Sequence, residues 1–197
     1  MVRLLLEHLE EEIFESESSV ALVMASSQGR KEVVRELLAA RAPVDALRDG
    51  MCPLAAAAAG NHFAVASALL AARATVDAVA EGGTPLLWAA AGGCSRVLLL
   101  LIGARAALEA VDEDGATPLL WAAANGHEAS VAALLQARAA VGAVDAAGRT
   151  AMSWAAGHGH EAAMTSLLVA GADLELRDGQ GMSPQAAAQA KDGNRSQ

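Results

Sequence analysis

The 197-residue chain has no tyrosine, and its two phenylalanines and three tryptophans bring aromatics to only 3%. A sandwich built on large side chains is therefore excluded. The apolar 54% must be small and aliphatic, as in thin helical layers. Long apolar runs are also missing. The longest strongly apolar run, Val97 to Ile102, is far short of the roughly 18 residues a membrane span needs, so no membrane partner is expected. Basic residues are the minority. The net charge is −9 and no basic-aromatic patch exists, which argues against nucleic acid. Met1 to Phe14 carries Leu4, Leu5 and Leu6, but acids follow at once and no basic n-region with a cleavage site appears, so no secretory signal is expected. Two cysteines, Cys52 and Cys94, make no disulfide framework; reduced thiols in a cytoplasmic or nuclear protein are the natural reading. No P-loop, dinucleotide fingerprint or zinc pattern is present, and no catalytic residue, cofactor or metal is expected.

What the chain does have is a period. Thr84-Pro85-Leu86-Leu87-Trp88-Ala89-Ala90 returns 33 residues later as Thr117-Pro118-Leu119-Leu120-Trp121-Ala122-Ala123, and again as Thr150-Ala151-Met152-Ser153-Trp154-Ala155-Ala156. Ser183-Pro184 continues the series, and Cys52-Pro53-Leu54 precedes it by 32. A glycine stands two positions before each start. Leu69-Leu70, Leu101-Ile102, Leu134-Leu135 and Leu167-Leu168 recur in the downstream half. Leu37-Leu38 belongs to a worn first copy in which Val20 takes the Thr place. Self-similarity at this period means a solenoid of stacked units.

Each unit reads as two short helices and a turn. Glycine permits the tight turn, Thr caps a helix and Pro takes its first position. Gly126 ends the first helix of the fourth unit, and a second runs from about Glu128 to Gln136. An extended stretch at Ala140-Val141-Gly142-Ala143 is expected to lead to the next turn. No such unit buries its apolar face alone, so the units must stack.

The pattern resembles the ankyrin repeat. The fourth unit comes closest, with Asp112, Gly115, Thr117, Pro118, Leu119, Ala122, Ala123, Gly126, His127, Leu134 and Leu135 at motif positions. The resemblance implies an all-α solenoid with short β-turn fingers. Two departures stand out. The motif His is Ala55, Leu87, Leu120 and Ser153, so its hydrogen bonding must be met otherwise. The glycine after the second helix is Arg41, Arg73, Arg105 and Arg138, and is glycine only at Gly171. These arginines are open to two readings: an anion-binding edge, or a loop that has relaxed or merely follows composition.

The expected organisation is an N-terminal capping helix at 1–17, a degenerate first repeat at 18–46, repeats at 47–78, 79–111, 112–144 and 145–177, and a half-repeat cap with a polar tail at 178–197. Leu5, Leu6, Leu9 and Ile13 form one stripe on the first helix, which caps the stack or docks another chain.

Candidate binding residues lie on the turn tips and the first helices. Asp49, Glu81, Glu113 and Asp114 make an acidic row, with Arg149 further along; a solvated polar surface is the alternative. Trp88, Trp121 and Trp154 form a ladder, one step per layer. They share a helix face with Ala91-Gly92, Ala124-Asn125 and Gly157-His158, three and four residues on, at positions that line the concave groove in ankyrin proteins. Packing between repeats, with the indole N–H bonded locally, is the alternative. His127 and His160 occupy the structural Gly-His position of the motif.

The resemblance thus implies a non-catalytic, monomeric scaffold binding a partner protein, with a basic segment as the suggested occupant. The competing readings are a portion of a larger enzyme of kinase, ubiquitin ligase or acyltransferase type, and a structural spacer.

Overall fold

The computed structural model describes residues 2–195, and the side chains of 15–189. Eleven helices follow one another among these residues: α1 Val2–Ser27, α2 Lys31–Ala39, α3 Pro53–Ala59, α4 Phe63–Ala71, α5 Pro85–Ala91, α6 Ser95–Gly103, α7 Pro118–Ala124, α8 Glu128–Gln136, α9 Ala151–His158, α10 Glu161–Val169 and α11 Pro184–Arg195. No strand forms among the described residues; pairing is limited to the isolated bridges Arg48–Met51, Ala80–Gly83 and Val144–Thr150. Nor is any helix of the described residues long and apolar enough to cross a membrane.

The helices of seven or eight residues, α3, α5, α7 and α9, are too short to persist alone in water. Their starts are set by caps. Thr117 and Thr150 accept hydrogen bonds from the N–H groups of Leu120 (3.4 Å) and Ser153 (3.1 Å), and the Cys52 thiol accepts from Ala55 in the same place. Packing supplies the rest. The odd-numbered helices α1 to α11 pack side by side in an inner layer, and α2 to α10 form an outer layer, each outer helix lying against its own inner one. Leu54, Leu86, Leu119 and Met152 from the inner layer meet Leu69, Leu101, Leu134 and Leu167 from the outer, each at most 1% exposed. Buried alanines such as Ala89, Ala122 and Ala155 let neighbouring inner helices approach closely.

Side chains also stitch layer to layer. His62, His127 and His160 place Nε2 at 2.9, 3.0 and 3.0 Å from the carbonyl oxygens of Ser27, Ala91 and Ala124 in the preceding layer. Cys94 stands at the equivalent place, its Sγ 3.8 Å from the Ala59 oxygen. Gly126 faces His160 so closely that an added Cβ would lie 2.5 Å from its ring. At the loop edge Asp45, Asp77 and Glu109 accept from the backbone N–H of Thr75, Ala107 and Ala140, one layer on.

Three features depart from the expected local structure. First, α1 continues without a break past residue 17. Val20 cannot cap, no proline follows it, and Ser18 and Ser19 hydrogen-bond back to the Glu15 carbonyl instead of starting a new helix. The stripe of Leu5, Leu6, Leu9 and Ile13 lies outside the described side chains. Second, Ala140–Ala143 is a β-turn, closed by the Ala143 N–H on the Ala140 oxygen at 3.2 Å. Third, the Thr84 hydroxyl is buried without a partner. Leu87 stands where the motif has His, and nothing else reaches it.

The four arginines keep the glycine geometry. Arg41, Arg73, Arg105 and Arg138 have φ of 67°, 67°, 67° and 70°. Arg105 donates its N–H to the Ile102 oxygen, and Ala106 donates to Leu101. This pair of bonds is the Schellman ending of a helix, which demands the left-handed residue whatever its side chain.

Candidate functional site

The site is built on the turns that precede the inner helices. In the fourth layer, Asp112 Oδ1 accepts from the backbone N–H of Asp114 (3.0 Å) and Ala116 (2.8 Å), and Gly115 closes the turn at φ 75°. Asp145 does the same in the fifth layer with Ala147 and Arg149, both at 2.9 Å, and Gly148 again has φ 75°. The second carboxylate oxygen of each reaches across to the helix. Asp112 Oδ2 accepts the indole N–H of Trp121 at 2.6 Å, and Asp145 Oδ2 accepts that of Trp154 at 3.0 Å. These hydrogen bonds fix two rungs of the tryptophan ladder.

The third rung differs. Val79 stands where Asp112 and Asp145 stand in the following layers, and the Trp88 N–H is buried without a partner. The fingers differ as well. Backbone N–H groups of Glu81, Ala146 and Gly179 bond to the oxygens of Gly50, Asp114 and Ala147 one layer back. Among the described residues no such bond joins the third finger to the fourth.

Three cavities follow one another along this face. One of 360 Å³ lies between Trp88 and Trp121, with Asp112, Glu113 and Asp114 on its rim. The next, 290 Å³, lies between Trp121 and Trp154 and is bordered by Asp114, Asn125 and Arg149. The third, 210 Å³, passes from Trp154 to Asp178 and Met182. Glu113, Asp114, Arg149 and the three tryptophans thus share one trough. Asp49 and Glu81 do not line these cavities. Asp49 is exposed and paired with Arg48 at 3.2 Å, and the Glu81 side chain lies over Gly50. A larger hollow of 550 Å³ opens between α2 and α4 around Lys31, Arg35 and Phe63, but it is away from the trough and gathers no carboxylates or indoles.

Arg149 is not free. Its Nε donates to Asp145 Oδ2 at 2.8 Å, and its Cζ sits 4.0 Å from the centre of the Trp154 ring. His158 stacks on the other side chains of this corner, 5.5 Å from Trp154 and 5.9 Å from His160. Burial pushes the Asp145 carboxyl up, but the Arg149 N–H, the indole and the guanidinium outweigh it and hold it below the ordinary carboxylate value. Burial pushes both thiols, Cys52 and Cys94, up; neither is in a disulfide. Among the described residues no group of three His, Cys, Asp or Glu side chains is placed to hold a metal ion.

Asp112 and Asp145 as ring partners are what sequence reasoning missed. The signal was present: an aspartate nine residues before Trp121 and Trp154, and a valine nine before Trp88.

A family model described as ankyrin repeats, in three copies, matches residues 22–108 and again 86–178. The chain belongs to the ankyrin repeat family. No curated protein matches it well enough to count as a relative. Ankyrin repeats are generally protein-interaction modules and typically non-catalytic. The trough lies on the face of the ankyrin stack that carries the fingers and the first helix of each repeat.

Proposed function

We propose that this ankyrin stack is a non-catalytic scaffold that binds a basic or mixed basic-apolar protein segment along the trough. The carrying observation is the run of cavities that joins Trp88, Trp121 and Trp154 beneath the carboxylates of Asp112, Glu113 and Asp114. Glu113 and Asp114, with Asp49 and Glu81 further out, steer the segment, since complementary charge acts mainly on association rate. The indoles supply the contact area. The trough exists before binding, so little ordering cost opposes association. Two reduced buried thiols suit the cytoplasm or nucleus.

The test uses a capped peptide alternating lysine with leucine, and its glutamate counterpart. The lysine peptide binds and the glutamate peptide does not. Glu113→Lys with Asp114→Lys slows association and weakens its salt dependence. Trp121→Ala, once shown to be folded, mainly speeds dissociation. Equal binding of both peptides, or association indifferent to the charge reversal, overturns the reading.

A further inference from the structure

The fifth layer contains a complete internal recognition of an arginine. The Asp145 carboxylate takes the Arg149 Nε on the same oxygen that takes the Trp154 indole, and the guanidinium lies over the indole face. This uses what separates arginine from lysine: a flat, delocalised cation that stacks on an aromatic ring while its Nε–H donates to a carboxylate.

One repeat earlier, the same frame stands without its arginine. Asp112 replaces Asp145 and Trp121 replaces Trp154, each 33 residues back, and the backbone bonds to Oδ1 are the same pair. The indole bond is also the same, at 2.6 Å. The position equivalent to Arg149 is Ala116. A methyl group therefore stands where the guanidinium arm leaves the turn, and Asp112 Oδ2 has the indole as its only partner among the described side chains. Cavities of 360 and 290 Å³ open on either side of Trp121, and the exposed Glu113 and Asp114 add negative charge at the mouth.

We infer that Asp112 and Trp121 form a receptor for an arginine side chain of a partner protein, presented by an extended segment lying in the trough. This rests on the groove reading above and sharpens it: one arginine, in one place, preferred over lysine. The guanidinium stacks on Trp121 and donates to Asp112 Oδ2, as Arg149 does to Trp154 and Asp145. The neighbouring receptor is already filled from within, so the fourth layer alone offers this place among the described residues.

The experiment follows the three tryptophan indole N–H resonances in a ¹⁵N-labelled sample. The probes are capped nonapeptides of glycine and serine with a single central arginine, lysine or citrulline, the last being arginine's neutral analogue. The arginine peptide moves the Trp121 resonance most. Lysine binds about tenfold more weakly, the order of one charge-assisted hydrogen bond, and citrulline weaker still. Ala116→Arg fills the receptor from within and abolishes the shift. Asp112→Asn keeps the turn acceptor but removes the charge, and weakens arginine binding to the level of lysine; it carries the test if Ala116→Arg fails to fold. An unmoved Trp121, equal affinity for arginine and lysine, or undiminished binding by both variants overturns the receptor. Equal binding that disappears with Glu113→Lys and Asp114→Lys leaves the acidic trough standing without it. No binding of the single-arginine peptide at low salt overturns the receptor alone; the trough falls with it only if the alternating lysine-leucine peptide also fails to bind at low salt.

Discussion

At the scale of single residues, the arginines at the ends of the outer helices carry strain with no visible return. A non-glycine residue held in the left-handed region costs on the order of 1 kcal/mol. Arg105 and Arg138 are both exposed, with no hydrogen bond or ion pair from either side chain among the described contacts. Replacing both with glycine is expected to stabilise the protein by about 1 kcal/mol in total, because glycine's larger unfolded-state entropy offsets part of the relief. Urea unfolding of the double variant measures this, and a clear loss would reveal contacts of the arginine side chains. Asp145 makes a prediction in pH. Its folded value lies below the ordinary carboxylate value of about 3.9, so its stabilisation is present above that pH and lost as pH falls through the lower folded value. Asp145→Asn is expected to lower stability at neutral pH and to flatten the decline below about pH 4. Urea midpoints for both proteins across that range decide it, and parallel pH profiles would refute it.

At the scale of elements, the sequence was most legible where one residue type has one local job. Pro118 at a helix start, Gly126 at its end, and a second helix from Glu128 to Gln136 could be read directly, whereas the arginine at the glycine position left open whether the loop had relaxed, and Arg105 keeps the left-handed conformation at φ 67°. Less legible was anything decided across a turn. The bonds from Asp112 to Trp121 and from Asp145 to Trp154 require the finger to fold back on its helix, which a linear pattern does not display. The continuity of α1 depended on the absence of a cap at Val20, a weaker signal than a cap's presence. Two variants probe the element scale. Leu119→Ala is expected to cost roughly 2–5 kcal/mol by leaving a cavity, and to raise hydrogen exchange in α5 and α9 as well as α7. Exchange raised in α7 alone would contradict the shared interfaces. Val79→Asp gives the Trp88 indole the partner its neighbours have, and removes a valine that is 75% exposed. It is expected to stabilise the fold by about 1 kcal/mol, the worth of one hydrogen bond. An unchanged thermal midpoint would mean that the third finger cannot bring the carboxylate to the ring.

At the scale of the whole molecule, the finger edge divides the stack. Layers two and three are tied by Glu81 to Gly50, and layers four to six by Ala146 to Asp114 and Gly179 to Ala147. Between layers three and four the ties are His127 and Asn125 to Ala91, near the middle, and Ala140 to Glu109 at the opposite edge. A beam fastened along its back and centre but not along its front is compliant in one direction only. The protein should therefore bend as two stiff blocks about a line through His127, changing the curvature of its finger side while keeping its length. A ligand lodged between Trp88 and Trp121 would act as a wedge and fix the bend at one angle. The distance between labels placed on the second and sixth fingers would then narrow from a broad distribution to a sharp one on binding.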